Sequence, residues 1–171
     1  ATELADTTRL PLSTLRQQLD PLDEHYDLYQ QFATAMVHFQ QQQWRAATRI
    51  LATLAQSYPS QTFIWDRWMQ ALVAQGDYQK VVEHAEAFTK LGLHQSLANY
   101  YLALATVAQG DMQNAYRYLD RLMLAHPLWI GGWELLAEWS GQTADLSTHR
   151  LAMAKWHLLK GEFKQTKEQA L

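Results

Sequence analysis

Apolar residues recur along this chain at helical spacing, and the spacing itself repeats. Ala47, Leu51 and Leu54 stand at i, i+4 and i+7; Val81, Ala85 and Phe88 follow the same rule, and so do Ala115, Leu119 and Leu122. Each trio makes one apolar face of an amphipathic helix. The step from Ala47 to Val81 equals the step from Val81 to Ala115. It matches the period of a helix–turn–helix unit that buries its face by stacking on its neighbours.

The polar positions keep the same period. Gln75-Gly76-Asp77-Tyr78 and Gln109-Gly110-Asp111-Met112 are nearly identical turns, and one period earlier lies Gln41-Gln42-Gln43-Trp44. Pro59, Leu93 and Pro127 close the units; proline suits a helix stop followed by the first turn of the next helix, and Gly92 supplies the stop in the middle unit. Ala35, Ala103 and Ala137 share one column, with Met69 the exception, so paired helices can approach closely there. The pattern predicts helix pairs at about 23–41 with 44–57, 61–75 with 78–91, 95–109 with 112–125, and 128–140 with 144–160.

The expected fold class is therefore all-α, a tetratricopeptide-like helical-hairpin solenoid of about four helix pairs plus a C-terminal stub. The period is expected to slip in the last pair. Gly161-Glu162-Phe163 resembles the earlier turns but follows Gly110 by one and a half periods. Gly141 should then end the first helix of that pair and residues 163–171 should form the stub. Residues 1–21 read as an N-terminal segment and linker, with Ser13 capping a short helix ahead of Asp20-Pro21. Residues 22–171 read as the repeat domain. Trp44, Tyr78, Ala115 and Phe163 are expected to serve folding; a well-buried Trp44 would cost about 3–5 kcal/mol on truncation to Ala.

The first helix of each pair has a face turned away from its partner. In the first repeat that face carries Tyr29, Phe32, Met36 and Phe39; in the second, Phe63, Asp66, Arg67 and Gln70. The third contributes Tyr100 and Leu104, and the fourth Glu134 and Glu138. These residues are the candidate protein-binding groove, aromatic toward the N-terminus and acidic toward the C-terminus. Aromatic residues and Met are over-represented at protein-binding surfaces. The same side chains could instead pack against the segment 4–19 or against a further domain.

Composition narrows the chemistry. The 171 residues are 48% hydrophobic and 18% charged, a globular composition of one-domain size. With 14 Lys and Arg against 17 Asp and Glu, the chain lacks the basic surplus that a nucleic-acid partner requires. Residues 1–30 hold six acids and two bases, whereas the end beyond His149 carries Arg150, Lys155, Lys160, Lys164 and Lys167 against two Glu; such a dipole can steer a partner. There is no Cys, which excludes disulfides, thiolate zinc sites and thiol nucleophiles. The seven His form no His-Glu-x-x-His pair, and no phosphate-binding Gly-rich loop or Gly-x-Ser-x-Gly elbow occurs. Glu134 and Glu138 stand one helical turn apart, but with no nucleophile beside them they read as a binding surface. The chain is thus expected to be no enzyme and to hold no cofactor. Its first residues form no signal peptide, and no stretch approaches the length of a membrane span.

One resemblance goes further. The run His126-Pro127-Leu128-Trp129 through Trp133-Glu134-Leu135-Leu136-Ala137-Glu138, then Thr148-His149-Arg150-Leu151-Ala152-Met153-Ala154 and Leu158-Leu159-Lys160-Gly161-Glu162-Phe163, resembles the C-terminal repeat region of the periplasmic β-barrel assembly-enhancing zinc metalloproteases. The similarity spans about residues 22–170, and a half-repeat offset like the one expected above closes the chain in that family. The resemblance implies a periplasmic docking and substrate-positioning domain whose partners are the outer-membrane assembly machinery and unfolded barrel substrates. It implies no direct membrane insertion, and it assigns zinc only to a protease half that these residues do not include. The alternative is a stand-alone tetratricopeptide scaffold that binds a peptide or partner helix with no linked enzyme.

Overall fold

The computed structural model describes residues 23–162, and every element among them is an α-helix. The helices are α1 (Asp23–Gln40), α2 (Trp44–Ser57), α3 (Thr62–Ala74), α4 (Tyr78–Lys90), α5 (Gln95–Ala108), α6 (Met112–Ala125), α7 (Ile130–Gln142) and α8 (Leu146–Leu159). They form four hairpins of an all-α repeat solenoid. Their ends lie close to those the periodicity predicts, the largest differences falling in the fourth pair. The N-terminal segment 1–21, its Ser13 cap, Phe163 and the stub 163–171 lie outside the described residues.

One turn closes the first helix of every pair. Gln42, Gly76, Gly110 and Ala144 all adopt positive φ, at 58°, 73°, 78° and 57°. The residue after each donates its N–H back across the turn: Gln43 to the His38 carbonyl, Asp77 to Leu72, Asp111 to Thr106 and Asp145 to Ser140, at 2.9–3.0 Å. This is the left-handed closure that satisfies the last carbonyls of a helix. Asp77, Asp111 and Asp145 then cap the second helices, accepting from the N–H groups of Lys80, Asn114 and Thr148. Gln43 makes no such side-chain cap.

The expected slip of the period in the fourth repeat is corrected by this geometry. Ala144 lies one full period after Gly110 and takes the same backbone conformation. Gly141 sits inside α7, which continues to Gln142. Gly161, at φ 77°, ends α8 much as Gly92, at φ 71°, ends α4. The spacing from Gly110 to Gly161 therefore runs from the end of a first helix to the end of the next repeat's second helix, which is one and a half periods in a regular array, and the closing stub lies outside the described residues.

Each helix packs on the next, and α3 also meets α5 while α5 meets α7. First helices thus form one layer and second helices the other. Between them Ala47, Val81 and Ala115, Leu51, Ala85 and Leu119, and the small column Ala35, Met69 and Ala103 are fully buried. A fully buried Leu contributes about 2–3 kcal/mol by removal from water. In α8 the matching positions His149, Met153 and Trp156 are only partly buried, and Ala152 is its buried residue. Nothing among the described residues stacks beyond α8. Trp44 is also half-buried, packed edge-on against Phe39 at 5.0 Å. It opens α2 at the rim of the hairpin, so full burial is corrected to partial; Tyr78 at the next repeat is likewise half-buried, whereas Ala115 is buried.

Histidines tie helices together. His94 Nε2 lies 2.8 Å from the Pro59 carbonyl and Nδ1 3.1 Å from the Thr62 hydroxyl. Only a donor can meet a carbonyl, so Nε2 donates to Pro59 while Nδ1 pairs with the Thr62 hydroxyl. The ring stacks on Trp65 at 5.7 Å. His149 Nδ1 donates to the Ala137 carbonyl at 2.9 Å, tying α8 to α7.

Candidate functional site

Three columns of the first helices recur once per repeat and share one face. One runs Tyr29, Phe63, Leu97; the next Phe32, Asp66, Tyr100, Glu134; the third Met36, Gln70, Leu104, Glu138. Within a helix these positions are three and four residues apart, so each helix presents one strip of side chains. Adjacent first helices lay the strips side by side.

The structure groups these residues into two neighbourhoods. Toward the N-terminus, Phe32 and Phe63 meet edge to face with ring centroids 4.8 Å apart, joining α1 to α3. Arg67 lies over the Phe39 ring at 5.8 Å. Phe32, Met36 and Phe39 are partly buried against the main core, whereas Tyr29 and Phe63 are 58% and 38% exposed. Phe39 thus serves the α1–α2 hairpin through Trp44 as well as facing Arg67.

Toward the C-terminus, α3, α5 and the start of α7 enclose a cleft of about 380 Å³. Its walls are Asp66, Gln70, Val73, Ala74, Leu97, Tyr100, Tyr101, Leu104 and Trp129. Of the candidate residues, Asp66, Gln70, Tyr100 and Leu104 line it. Tyr100 and Trp129 stack at 5.0 Å with their rings 29° from parallel, a flat wall shared by two repeats. A hydrogen-bonded row fixes the floor. Arg67 Nη1 donates to Gln70 Oε1 at 2.7 Å, and Gln70 Nε2 donates to Asp66 Oδ2 at 2.9 Å. The buried Tyr101 hydroxyl donates to Asp66 Oδ1 at 2.6 Å and approaches the Asp66 carbonyl at 3.1 Å.

Charge follows the same layout. Burial raises the Tyr100 hydroxyl above its ordinary pKa, and the carboxylates of Glu134, Asp66 and Glu138 push it further in that order. Glu134 and Glu138 are exposed on α7 and do not themselves line the cleft. Burial is also the main cause that drives the Tyr101 hydroxyl far above its ordinary value, followed by its hydrogen bond to Asp66. Both phenols are neutral donors at any physiological pH.

Sequence reasoning missed Tyr101, Val73, Ala74, Leu97 and Trp129 as cleft residues. Leu97 was available by carrying the Phe63 column forward one period. Trp129 had no such signal, because the same column holds Asp27, Gln61 and Gln95 in the other repeats. Among the described residues no group of three His, Asp or Glu side chains could hold a metal ion, and no helix is long and apolar enough to cross a membrane. In comparison with known proteins, the chain matches no family model and no curated sequence.

Proposed function

We propose that this chain is a protein-interaction module that holds a segment of another protein across the face of its first helices. The observation that supports this most is the cleft between α3, α5 and α7, walled by Tyr100, Trp129 and Leu104 and floored by the Asp66 network. Side chains there are held by neighbours in two repeats, so little ordering is left to be done on binding, which favours affinity. Phe63 and Tyr29 extend the apolar surface toward the N-terminus. Rigid aromatic anchors beside a polar floor are what a peptide-recognising groove uses.

The resemblance to the β-barrel assembly-enhancing metalloproteases supports a narrower reading of the same site. In it the chain is the docking and substrate-positioning domain of a periplasmic protease and chaperone, with the outer-membrane assembly machinery or unfolded barrels as partners. Zinc and peptide-bond cleavage then belong to the protease half, and the repeat chain supplies position alone.

Photo-crosslinking separates these readings. A benzoylphenylalanine at Phe32, Phe63 or Tyr100 should capture a partner in extract of the source cell, whereas the same group at Tyr116 or Leu124 on the second helices should not. Capture confined to the second helices would refute the groove. Identification of the captured protein as an assembly factor or unfolded barrel would favour the protease-linked reading, and any other partner would favour a free-standing scaffold.

A further inference from the structure

We propose that the cleft between α3, α5 and α7 is a subsite for a lysine or arginine side chain of the bound segment. This rests on the groove reading above and adds the chemistry of the residue recognised. Asp66 on α3 lines the cleft, and Glu134 and Glu138 stand one period after Tyr100 and Leu104 on α7, which packs on α5. Among the described residues Glu134 and Glu138 have no cationic partner; the ion pairs there are Lys80 with Asp77, and His157 and Lys160 with Glu162. The cation nearest in sequence to Asp66, Arg67, is engaged with Gln70 and the Phe39 ring. Glu134 and Glu138 thus carry no counter-cation among the described residues, whereas Asp66 accepts from Gln70 and Tyr101.

The walls suit the rest of such a side chain. The Tyr100–Trp129 stack offers an aromatic face on which a guanidinium or ammonium is attracted by the ring quadrupole. Leu97, Leu104 and Val73 line the cleft where an aliphatic stem would lie. Arginine gains additionally from its planar fork, which matches carboxylate geometry. The same arrangement discriminates against other residues. A neutral apolar side chain would partly desolvate the carboxylates without pairing them, and an acidic one would meet like charge.

The test uses the full 171-residue chain. A phage library of random dodecapeptides is selected on the immobilised protein. The most enriched peptide is then synthesised together with a twin in which each Lys or Arg is norleucine. Dissociation constants are measured by fluorescence anisotropy for the natural protein, for E134Q/E138Q and for F63A, with melting curves to confirm that both variants fold. The cation subsite predicts enrichment of Lys or Arg. It also predicts at least tenfold weaker binding of the norleucine twin, and at least tenfold weaker binding of the basic peptide to E134Q/E138Q. The twin should bind E134Q/E138Q at least as tightly as natural protein, so that the losses are not additive. Enriched peptides without a cation, or a twin that binds as tightly as its parent, would overturn the subsite. If F63A still weakens such peptides, the groove survives that result; if F63A and E134Q/E138Q both leave binding unchanged, or no peptide is enriched, the groove falls with it.

Discussion

Replacing Tyr101 by Phe removes one oxygen from the join between the second and third repeats. The hydroxyl is buried and donates to Asp66 Oδ1 at 2.6 Å. A hydrogen bond to a charged group contributes about 1.5–3 kcal/mol, and a carboxylate robbed of a buried donor must find water instead. Asp66 is only half-buried, so water can reach it and the lower end applies, about 1.5–2 kcal/mol. Urea unfolding of Y101F at pH 7 should show that loss with an unchanged dependence on denaturant. The alkaline limb supplies a second readout. The Tyr101 pKa is raised in the fold by burial and by Asp66, so the native state keeps a proton that the unfolded chain releases near pH 10. Its stabilisation is complete below that pH and falls as pH rises, at about 1.36 kcal/mol per pH unit. Tyr100, raised for related reasons, adds to the same decline. Between pH 10 and 11.5, Y101F should lose stability less steeply than the natural chain. A loss at pH 7 of less than about 0.5 kcal/mol, the bottom of the range for any net hydrogen bond, together with an unchanged alkaline slope, would refute the placement of Tyr101 against Asp66.

Three further outcomes are expected from the packing and the turns. Ala144 adopts φ 57° where the two preceding repeats have Gly, so A144G should raise stability by about 0.5–1 kcal/mol, read as a higher melting temperature. A Cβ at Gly132 would stand 2.6 Å from Met123 Sδ where α7 crosses α6; the flexible Met can swing aside and Ala gains about 0.5–1 kcal/mol over Gly inside a helix, so G132A should change stability in denaturant unfolding by less than about 1 kcal/mol. Half-buried Trp44 should lose about 2 kcal/mol on W44A, less than a fully buried Trp, and a loss of about 4 kcal/mol or more in thermal melting would contradict its position at the rim.

The positions of the helices are readable because the same side chains recur at the same places in each repeat. Ala47, Val81 and Ala115 mark one buried column, and the Gly-Asp pairs at residues 76 and 110 mark the turns. The fourth repeat misleads because its turn keeps the backbone conformation without the residue that usually signals it. Ala144 carries a strain that glycine would avoid, and a search for Gly passes it by in favour of Gly161. The candidate face is legible to the same degree. The columns that end in Glu134 and Glu138 follow from the period, so Asp66, Gln70, Tyr100 and Leu104 emerge together in the cleft. Trp129 breaks its column and precedes α7, so only the folded chain brings it onto Tyr100. The Tyr101–Asp66 bond is hidden for a related reason: it joins two helices of different repeats, and periodicity places residues on faces without specifying which polar atoms meet.

The central claim, that a partner lies against the first helices at the Tyr100–Trp129 wall, can be read from a single spectrum. The chain has seven Trp, and replacement of each by 5-fluorotryptophan gives one fluorine resonance per side chain, assigned through W129F, W139F and W44F. Trp129 lines the cleft, whereas Trp139 bonds to the Met112 carbonyl beside Tyr116 and Trp44 starts α2. Titration with the most enriched dodecapeptide should shift the Trp129 resonance and leave those of Trp44 and Trp139 in place. Movement of Trp139 or Trp44 while Trp129 stays fixed would put the partner on the second helices and contradict the account.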